Sequence, residues 1–502
     1  MSMIAVGYQA LINQFKLQVI PHYRQSYITP RGRGQVRIDN HQETYVYPKT
    51  YAVKDLQNPF NHLEFALKHE GINLEILQAV FNQLDGAIVQ ATIQERPTSK
   101  YARSLWFLYE FLTEKKLDLP SITKVKYFDL LDPKHYFTSP GIKSPRHCVN
   151  NNLIGNRDFC PMLRKTEPLK NHINNHYDLK VRALADRYDP RIITRASYYF
   201  YTKETLSSYE IEQEKPSKER LNRFIHLLQK ASSIETLSKK LLIELQNIIV
   251  DPRFQDANYR FLQNYVGETI NQYIQKIHYI PPKPESVERL MSGLLQTLEN
   301  AMHTQLHPVL TAAIISFGFV FIHPFEDGNG RIHRFLIHYI LARMQFTPPD
   351  IIFPISAVML QKMREYDRAL ESFSKPLMDL ITQYQLSNEG FLSVQQSTDS
   401  YYPFIDYTHL AEYLFGCIQE TLREHFEKEL EFLVNYDKTK AEMKAEIDMP
   451  DRLIDLFIKF VIQNHGTLSI QKRKKYFEKL SNQEIESLQS IVRAHMLDLE
   501  SK

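Results

Sequence analysis

The chain has few cysteines, few glycines and no long apolar run free of charge. Three cysteines in 502 residues, an odd and low number, exclude a disulfide framework and fit a reducing compartment. No uncharged apolar run reaches the ~18 residues that a membrane-spanning helix needs. The N-terminus has no basic segment before its apolar residues and no clear cleavage site, so no signal peptide is predicted. We therefore expect a cytoplasmic protein, and delivery into a host cell by a dedicated secretion system stays open.

The residues that are abundant favour a mainly helical protein. Only 15 glycines accompany 29 tyrosines and 29 phenylalanines, and 43% of the chain is hydrophobic, which is ordinary globular composition. The length suits about two to four domains. The net charge of +3 gives no reason to expect a nucleic-acid or membrane partner.

The hydrophobic pattern changes along the chain and suggests three parts. Residues 1–60 mix prolines, glycines and β-formers, which predict loops and short strands. Apolar residues recur at helical spacing from 61 to about 117, and again over most of the chain from 196 onwards. We therefore divide the chain into an N-terminal region of unknown role (1–195), a central region (196–385) and a C-terminal helical domain (386–502).

Polar residues gather between two apolar stretches at 323–334, which read HPFEDGNGRIHR. Pro324 interrupts the first helical pattern, and Gly328 and Gly330 permit the positive φ angles of a tight loop. A second helix is predicted to begin near Asn329–Arg331, where its first amides lack an internal partner and its dipole is positive. Glycine-flanked amides of this kind bind anions, so the loop predicts a phosphate site.

Four charged or titratable side chains border this predicted phosphate site. Arg331 and Arg334 are three residues apart on one helix face and can hold further phosphate oxygens. Asp327 is an oxygen ligand suited to Mg²⁺ bound with a nucleotide polyphosphate. His323 lies at the opposite edge, where it could take a proton from a hydroxyl. Each feature alone is usually structural or solvated, but their ordered combination in one short stretch is a specific signal.

This stretch resembles the motif of the Fic proteins, His-Pro-Phe-x-Asp/Glu-Gly-Asn-Gly-Arg-x-x-Arg, and it fills every fixed position. The resemblance implies a mainly α fold: a multi-helix Fic core with a β-hairpin flap, a mixed N-terminal region and a C-terminal helical bundle. It also implies a protein adenylyltransferase that moves AMP from ATP to a Ser, Thr or Tyr hydroxyl of a target protein. Segments outside the core, such as RHCVNNNLIGNRDFCPMLRKT, are typical of a bacterial subgroup of larger Fic proteins.

The resemblance also assigns roles within the motif. His323 would be the general base, and Asp327 would bind Mg²⁺, or Mn²⁺ in its place. The residues that would hold the ATP phosphates and the leaving pyrophosphate are Gly328, Asn329, Gly330, Arg331 and Arg334. Phe325 would be a buried anchor for the loop.

A second stretch, SSYEIEQEKPS at 207–217, resembles the inhibitory helix that many Fic proteins carry, with the pattern Ser/Thr-x-x-x-Glu-Gly/Asn. Ser208 and Glu212 are four residues apart and share a face of a helix predicted at about 204–213. Gln213 departs from the pattern. The resemblance implies that Glu212 pairs with Arg334 and blocks productive binding of ATP. It also implies that the protein AMPylates itself, a reaction that this pairing would restrain. The alternative is an ordinary acidic, solvated helix.

Two further segments resemble parts of the Fic core. NQYIQKIHYIPPKPES (271–286) fits the flap, which aligns a target segment by strand addition, with Ile277 and Tyr279 as candidate flap residues. MREYDRALESF (363–373) resembles the segment near the adenine, where Tyr366 could stack on the base. Asp367 stands where the family often has a second tyrosine.

Other functions stay open on sequence alone. Glu212 could position water, which would make the protein bifunctional or predominantly de-AMPylating, and a non-catalytic interaction or DNA-binding regulator is the third alternative. The cysteines and histidines of 147–176 lack the paired spacing of a zinc site. The basic stretch 471–480 is best explained as a solvated helix, so nucleic acid is not the favoured partner. The expected partners are ATP and a target protein, with no membrane, and a homo-oligomer is compatible with the sequence.

Overall fold

The structure, a computed structural model, describes residues 3–30, 33–39, 42–271, 274–349 and 351–497. Helices dominate it, and its strands form four small sheets of two to four strands within these residues. The predicted mainly α class is confirmed. No helix in the described ranges is long and apolar enough to cross a membrane.

The N-terminal region combines helices with two small sheets. The four-stranded sheet has the order β1-β2-β4-β3, with β2 parallel to β4 and the other pairs antiparallel, and a three-stranded sheet has the order β5-β7-β6. Five helices bury an apolar cluster around Trp106 and Phe81. The elements are β1 (Ile4–Val6), α1 (Gly7–Phe15), β2 (Arg24–Thr29), β3 (Gln35–Asp39), β4 (Gln42–Pro48), α2 (Pro59–His69), α3 (Leu74–Gln83), α4 (Gly86–Glu95), α5 (Lys100–Thr113), β5 (Phe128–Asp129), β6 (Ile142–Ser144) and β7 (Val149–Asn151).

Helix α1 lies in a segment whose sequence predicts only loops and short strands. Its second residue, Tyr8, donates its amide to Glu70 Oε2 at 2.7 Å, and the Glu70 side chain is buried beside the helix start. A carboxylate at a helix N-terminus satisfies a free amide and complements the dipole. The residue that stabilises the start of α1 therefore lies more than sixty positions further along the chain, and the local sequence pattern does not indicate it.

A central helical bundle, which extends beyond residues 196–385 on both sides, is built around α12, and α12 is buried along almost its whole length. An uninterrupted apolar sequence such as PVLTAAIISFGFVFI suits a helix surrounded on all sides. The elements are α6 (Glu167–Asn174), α7 (Tyr177–Ala185), α8 (Pro190–Ile211), α9 (Lys218–Gln229), α10 (Lys239–Ile249), β8 (Val266–Asn271), β9 (Ile274–Tyr279), α11 (Pro284–His303), α12 (Pro308–Ile322), α13 (Asn329–Arg343), α14 (Ile355–Gln361), α15 (Met363–Leu380), β10 (Tyr384–Leu386), β11 (Leu392–Val394) and α16 (Thr408–Thr421).

A segment of the N-terminal region is built into this central bundle. Phe159 is buried in the central apolar cluster, and its carbonyl accepts from Thr297 of α11 at 3.0 Å. The Cys160 amide donates to the Pro403 carbonyl at 2.7 Å, and the Met162 amide donates to Ile405 at 3.0 Å. The two regions therefore share one packed and hydrogen-bonded seam.

The C-terminal helices have a smaller apolar cluster of their own, around Phe457 and Leu488. Helix α16 continues through a π-helical turn, Leu422–Phe426, into α17 (Glu427–Glu446), which is followed by α18 (Asp451–Gln463), α19 (Ile470–Tyr476) and α20 (Asn482–Val492). Apolar packing does not follow the divisions expected at 195 and 385. Helices α6, α7 and α16 pack in the central cluster, because their apolar faces lie against it rather than against their sequence neighbours.

Candidate active site

The site is built where α12 ends and α13 begins. His323 is the C-terminal cap of α12, with φ 52° and ψ 59°, and its amide donates to the Phe319 carbonyl at 2.9 Å. Gly328, with φ 89°, is the N-terminal cap of α13. Both caps are left-handed, a conformation that costs a residue with a side chain about 1–2 kcal/mol. The chain thus turns sharply twice, with His323 at one end of the loop and the first turn of α13 at the other.

The interior of the loop is held by Phe325 and Asn329. Phe325 is fully buried and packs against Tyr259 and Phe319, with ring centroids 5.6 and 6.3 Å apart. The Asn329 side chain accepts from the Phe325 amide at 3.0 Å and donates to the Phe325 carbonyl at 2.7 Å. Because the side-chain amide of Asn329 is engaged within the loop, the phosphate contact predicted for this residue would come from its backbone N–H.

The tautomer of His323 follows from its contact with the α12 backbone. Nδ1 lies 3.1 Å from the Val320 carbonyl oxygen, which can only accept, so Nδ1 carries the hydrogen and Nε2 keeps a free lone pair. Burial lowers the pKa of His323 to about 4, and the charge of Arg260 acts in the same direction, against the opposing effect of the Val320 carbonyl. His323 is therefore neutral at pH 7 with Nε2 available as a base.

The first turn of α13 carries the predicted phosphate-binding groups. Asp327 accepts from the Gly328 amide at 2.6 Å and from Arg331 NH2 at 2.8 Å, and its side chain is 46% exposed. Gly330 leaves room for a neighbouring carboxylate, because a Cβ at this position would lie 2.1 Å from Glu212 Oε1. A carboxylate therefore lies directly against the end of the helix that favours anions.

Arg334 is buried and bound by the end of α8. Its Nε donates to Ser208 Oγ at 2.8 Å, and its NH2 donates to the Ser208 carbonyl and to Glu212 Oε1, both at 2.7 Å. The Arg334 side chain is 1% exposed, whereas that of Glu212 is 34% exposed. The structure thus brings together the three residues that the sequence resemblance grouped, across more than a hundred positions.

Gln213 shows how α8 ends. It has φ 56°, its amide donates to the Glu210 carbonyl at 2.9 Å, and the Glu214 amide donates to the Tyr209 carbonyl at 3.0 Å. This pair of bonds is a Schellman motif, whose left-handed position is usually glycine or asparagine. The departure from the family pattern at Gln213 therefore leaves the helix end intact, at the cost of a left-handed glutamine.

The turn after Gln213 directs a second carboxylate, Glu214, onto the other motif arginine. Glu214 Oε2 accepts from Arg331 NH1 at 2.9 Å and from Arg220 NH2 at 3.1 Å. Both guanidinium groups also lie over the buried Tyr209 ring, at 5.3 and 5.2 Å from its centroid. The end of α8 and the residues just after it thus occupy both Arg331 and Arg334.

A buried polar cluster holds α8 on α13 one helical turn away. His338 Nε2 lies 2.8 Å from Glu204 Oε1, and Glu204 Oε2 accepts from the Ser356 amide at 2.8 Å. All three residues are at most 3% exposed. Since Glu204, Ser208 and Glu212 are four residues apart, one face of α8 follows α13 over two turns.

The flap is a hairpin of β8 and β9 that begins before the predicted segment 271–286. Tyr279 is buried at its base, and its hydroxyl donates to the Phe321 carbonyl of α12 at 2.6 Å. Ile277 is half-buried against the central cluster. Arg260, which precedes the hairpin, donates its Nε to the His323 carbonyl at 2.8 Å, so flap base and loop are linked.

Tyr366, the candidate adenine contact, lies on α15 and is 5% exposed. Its ring stacks on His333 and Tyr413, with centroids 6.3 and 6.0 Å apart. Burial raises the pKa of its phenol to about 12, and the guanidinium of Arg334 opposes that effect. Two protein rings already stack on Tyr366, and the adenine contact stays a prediction.

Several residues of the site were not found from the sequence. Glu204, His338 and Arg260 all lie outside the sequence motifs described above. Glu214 had a usable signal, because a second acidic residue follows Glu212 just where an inhibitory helix would end.

Residues 236–341 match the sequence profile of the Fic/DOC family. The match covers α10 to α13, the flap and the whole loop with its two arginines. The central part of the chain is therefore a Fic domain.

The chain is also similar in sequence to animal proteins that share one name. Over 127 residues the chain is 33% identical to "Protein adenylyltransferase Fic" of Nematostella vectensis, covering 25% of this chain and 27% of that protein. It is 36% identical over 126 residues to the protein of that name from Drosophila mojavensis, covering 23% of each. The chain thus matches about a quarter of the length of these curated relatives.

Among solved structures, a Fic family protein from Desulfovibrio desulfuricans aligns with 65% of this chain and 84% of its own, at 16% identity and a TM-score of 0.37.

Proposed function

We propose that this chain is a protein adenylyltransferase that transfers AMP from Mg-ATP to a Ser, Thr or Tyr hydroxyl of a target protein. The proposal rests on one observation above all. A neutral histidine with Nε2 free stands at one end of a short loop, and a helix N-terminus with two buried arginines stands at the other. The animal relatives, which are named protein adenylyltransferase Fic, support the same activity, as does the complete motif from His323 to Arg334.

In the proposed reaction the ATP phosphates bind at the first turn of α13. The target oxygen attacks the α-phosphorus in line, its proton passes to His323 Nε2, and the bond from the α-phosphorus to the oxygen bridging to the β-phosphate breaks. Pyrophosphate leaves with that oxygen, and the target gains an ester-linked AMP. Positioning and charge stabilisation would supply the catalysis, since phosphoryl transfer asks little covalent chemistry of the protein.

A divalent cation fits the donor groups at this end of the loop. Asp327 is half-exposed beside the anion-binding turn, and the described residues hold no cluster of three or more metal-ligating side chains. One carboxylate together with phosphate oxygens and water is a common way to bind Mg²⁺. Bound there, the ion would neutralise phosphate charge, and Mn²⁺ would suit the same oxygen donors.

We propose further that the chain rests in an autoinhibited state. Arg334 would bind the γ-phosphate, and Glu212 with Ser208 occupies its guanidinium. Arg331 would bind phosphates nearer the reacting atom, and Glu214 occupies it in part. The carboxylate of Glu212 also lies against Gly330, so it would repel a polyphosphate at the first turn of α13. Displacing the end of α8 would remove the contacts of Glu212 and Glu214 at once, leaving Arg331 bound only to Asp327.

The reverse reaction is the second candidate, because the same carboxylate lies beside the reacting centre. Glu212 contributes to the electrostatic environment of His323, whose pKa it raises slightly against the effect of burial. Glu212 could orient a water whose oxygen attacks the phosphorus of a modified target. The bond from phosphorus to the target oxygen would then break, releasing AMP and a restored hydroxyl.

The test compares wild type, Glu212→Gly, His323→Ala and the double variant, each incubated with ATP labelled on its α-phosphate and with Mg²⁺. We expect more labelled protein with Glu212→Gly than with wild type, including self-labelling, and only background for both alanine variants. If Glu212→Gly labels no more protein than the double variant, adenylyl transfer is disproved and a non-catalytic regulator becomes the better explanation. Loss of AMP from a pre-labelled protein only when Glu212 is present would favour the reverse reaction.

A further inference from the structure

Arg260 is a buried arginine whose hydrogen bonds all go to backbone carbonyls. It lies between α10 and the flap and is 4% exposed. Its Nε donates to the His323 carbonyl at 2.8 Å, NH1 donates to the Leu262 carbonyl at 2.9 Å, and NH2 donates to the Pro282 carbonyl. Its own amide donates to the Pro324 carbonyl at 2.8 Å.

These four bonds join two structures that the reaction would need in register. Two of them hold the carbonyls of His323 and Pro324, at the start of the loop. The other two hold Leu262 before β8 and Pro282 after β9, which are the two ends of the flap. Arg260 is thus a bracket between the candidate general base and the hairpin that would present the target.

The charge of Arg260 is not explained by an ion pair. In the described part of the chain its guanidinium makes no ion pair within 4 Å, and the nearby carboxylate of Glu326 raises the pKa of Arg260 without contacting it. Burial lowers the pKa of Arg260 to about 10, which still leaves it protonated at pH 7. A buried charge is costly unless its donors are satisfied, and a planar fork with five donors is the side chain that can reach three carbonyls in different directions.

The geometry of His323 gives this bracket a consequence. The residue is held left-handed by bonds on both sides, its amide to Phe319 and its carbonyl to Arg260. The imidazole is then fixed by Nδ1 on Val320, which leaves Nε2 a single direction. Any movement of the His323–Pro324 peptide would therefore change the position of Nε2.

We propose that Arg260 is a positioning residue that sets the alignment between His323 Nε2 and a target hydroxyl carried by the flap. This inference rests on the proposed adenylyl transfer. It assigns Arg260 a role in the rate of the chemical step rather than in the binding of ATP, because none of its contacts is to the predicted phosphate-binding groups.

The test uses the full chain with Glu212→Gly as the parent, and adds Arg260→Lys, Arg260→Gln or the control Arg253→Gln. Arg253 lies on the same connecting segment, but its side chain is 79% exposed and pairs with Asp251. Melting temperatures first establish that each variant is folded. Self-labelling from α-labelled Mg-ATP then gives a rate constant at saturating ATP and a KM for ATP.

We expect both Arg260 variants to lose at least about tenfold in rate constant, since misplacement by ~1 Å can cost about a hundredfold. The KM for ATP should stay within about twofold of the parent, and Arg253→Gln should match the parent in both quantities. Lysine keeps the charge but lacks the fork, so failure of lysine to rescue identifies geometry as the cause. Parental rates in Arg260→Lys, a KM that rises together with the loss of rate, or failure of both variants to fold would overturn the proposal.

A second measurement does not depend on AMP transfer. The ¹⁵N signals of the His323 imidazole, assigned by their loss in His323→Ala, should show the Nδ1–H tautomer alone in the parent and in Arg253→Gln. We expect a mixture of tautomers in the Arg260 variants, and a single tautomer there would contradict the role. If the parent fails to label itself, the proposed function fails, and the imidazole signals still decide the role of Arg260.

Discussion

Arg331 and Arg334 lie one turn apart on α13 and are both 1% exposed, yet they are held in different ways. Arg334 donates three hydrogen bonds to Ser208 and Glu212, at the last turn of a long helix. Arg331 is bound by Glu214, which follows the helix end and is shared with Arg220. The first contact depends on an ordered helix, whereas the second depends on the short turn at Gln213.

This difference makes Glu212 and Glu214 separable by substitution. Both are about one-third exposed, so solvent weakens each ion pair, but their arginines are fully buried. A matched pair of glutamine substitutions removes each charge with little change of shape. The labelling rates of the two glutamine variants then give the effect of each contact on activity.

Glu212→Gln should give the largest gain in activity. Glutamine can still accept from Arg334 NH2, but it lacks the charge that makes such a bond roughly twice as strong as a neutral one, so the initial rate of labelling should rise about five- to tenfold. The rate is measured with α-labelled Mg-ATP, and Glu210→Gln is the control, because Glu210 is exposed on the same helix end. An equal gain in the control would show that net charge, not the pairing with Arg334, restrains the enzyme.

Glu214→Gln should give a smaller gain, of about two- to fivefold, because Arg331 keeps its bond to Asp327 and because Glu214 is shared with Arg220. Combined with Glu212→Gln it should exceed either single variant under the same assay. If the double variant only equals Glu212→Gln, Glu214 has no inhibitory effect of its own.

Gln213→Gly should act in the opposite direction by stabilising the turn that separates the two contacts. Glycine relieves a left-handed conformation that costs about 1–2 kcal/mol, less the extra freedom it gives the unfolded chain. We expect a free energy of unfolding higher by about 0.5–1 kcal/mol and wild-type labelling lower by about twofold.

Gln305→Gly is the matched control for this turn, since Gln305 has φ 53° in a Schellman motif after α11. It should gain similar stability in a denaturant titration and leave labelling unchanged. Equal losses of labelling in both variants would separate the Gln213 turn from the inhibited state.

The smallest effect that we expect is that of pH on the labelling rate. This effect acts through His323, whichever of the two arginine contacts is removed. The pKa of His323 is lowered to about 4, so the neutral form persists as pH falls from 7.5 to 5.5. An imidazole at the ordinary value of about 6.5 would be mostly protonated at pH 5.5. The labelling rate of Glu212→Gly should therefore change less than about twofold over this range. A fall that follows a pKa near 6.5 would contradict the neutral, buried base.

The same shift contributes to stability with a definite sign. His323 is neutral in the folded chain down to about pH 4 but protonates below about pH 6.5 in the unfolded chain. As pH is lowered from 6.5 to 4, protonation therefore favours the unfolded chain, and the free energy of unfolding decreases. His323→Gln should flatten the pH dependence of the free energy of unfolding between about pH 6.5 and 4.

The parts of the site that follow from the sequence are those whose spacing is local. The loop from His323 to Arg334 and the pair Ser208 and Glu212 can be read as a contiguous motif and as a helical interval. Phosphate contacts and metal binding remain predictions, since they concern groups the chain alone does not contain. Glu214 could be noticed as a second acidic residue after Glu212, but its contact with Arg331 depends on the left-handed turn at Gln213, which a glutamine does not predict.

The parts that the sequence did not reveal depend on distant packing. Arg260 makes its bonds to carbonyls, which every residue has, so no pattern of side chains marks its partners. The pair of Glu204 and His338 joins two helices with more than a hundred residues between them. Helix α16 looks like the start of a C-terminal domain, but its apolar face belongs to the central cluster.

The seam at Phe159 has a consequence for anyone who wishes to transplant this domain. A fragment cut to residues 236–341 would lose Phe159, α8 and α16, and with them much of the surface that surrounds α12. Its long apolar helix would then face water on several sides, and aggregation would follow. The fragment would also lack α8, and with it the proposed inhibitory contacts of Ser208 and Glu212 with Arg334. A cut near residue 155 would keep the seam but would still uncover Met162 and Phe404, which pack in the N-terminal cluster.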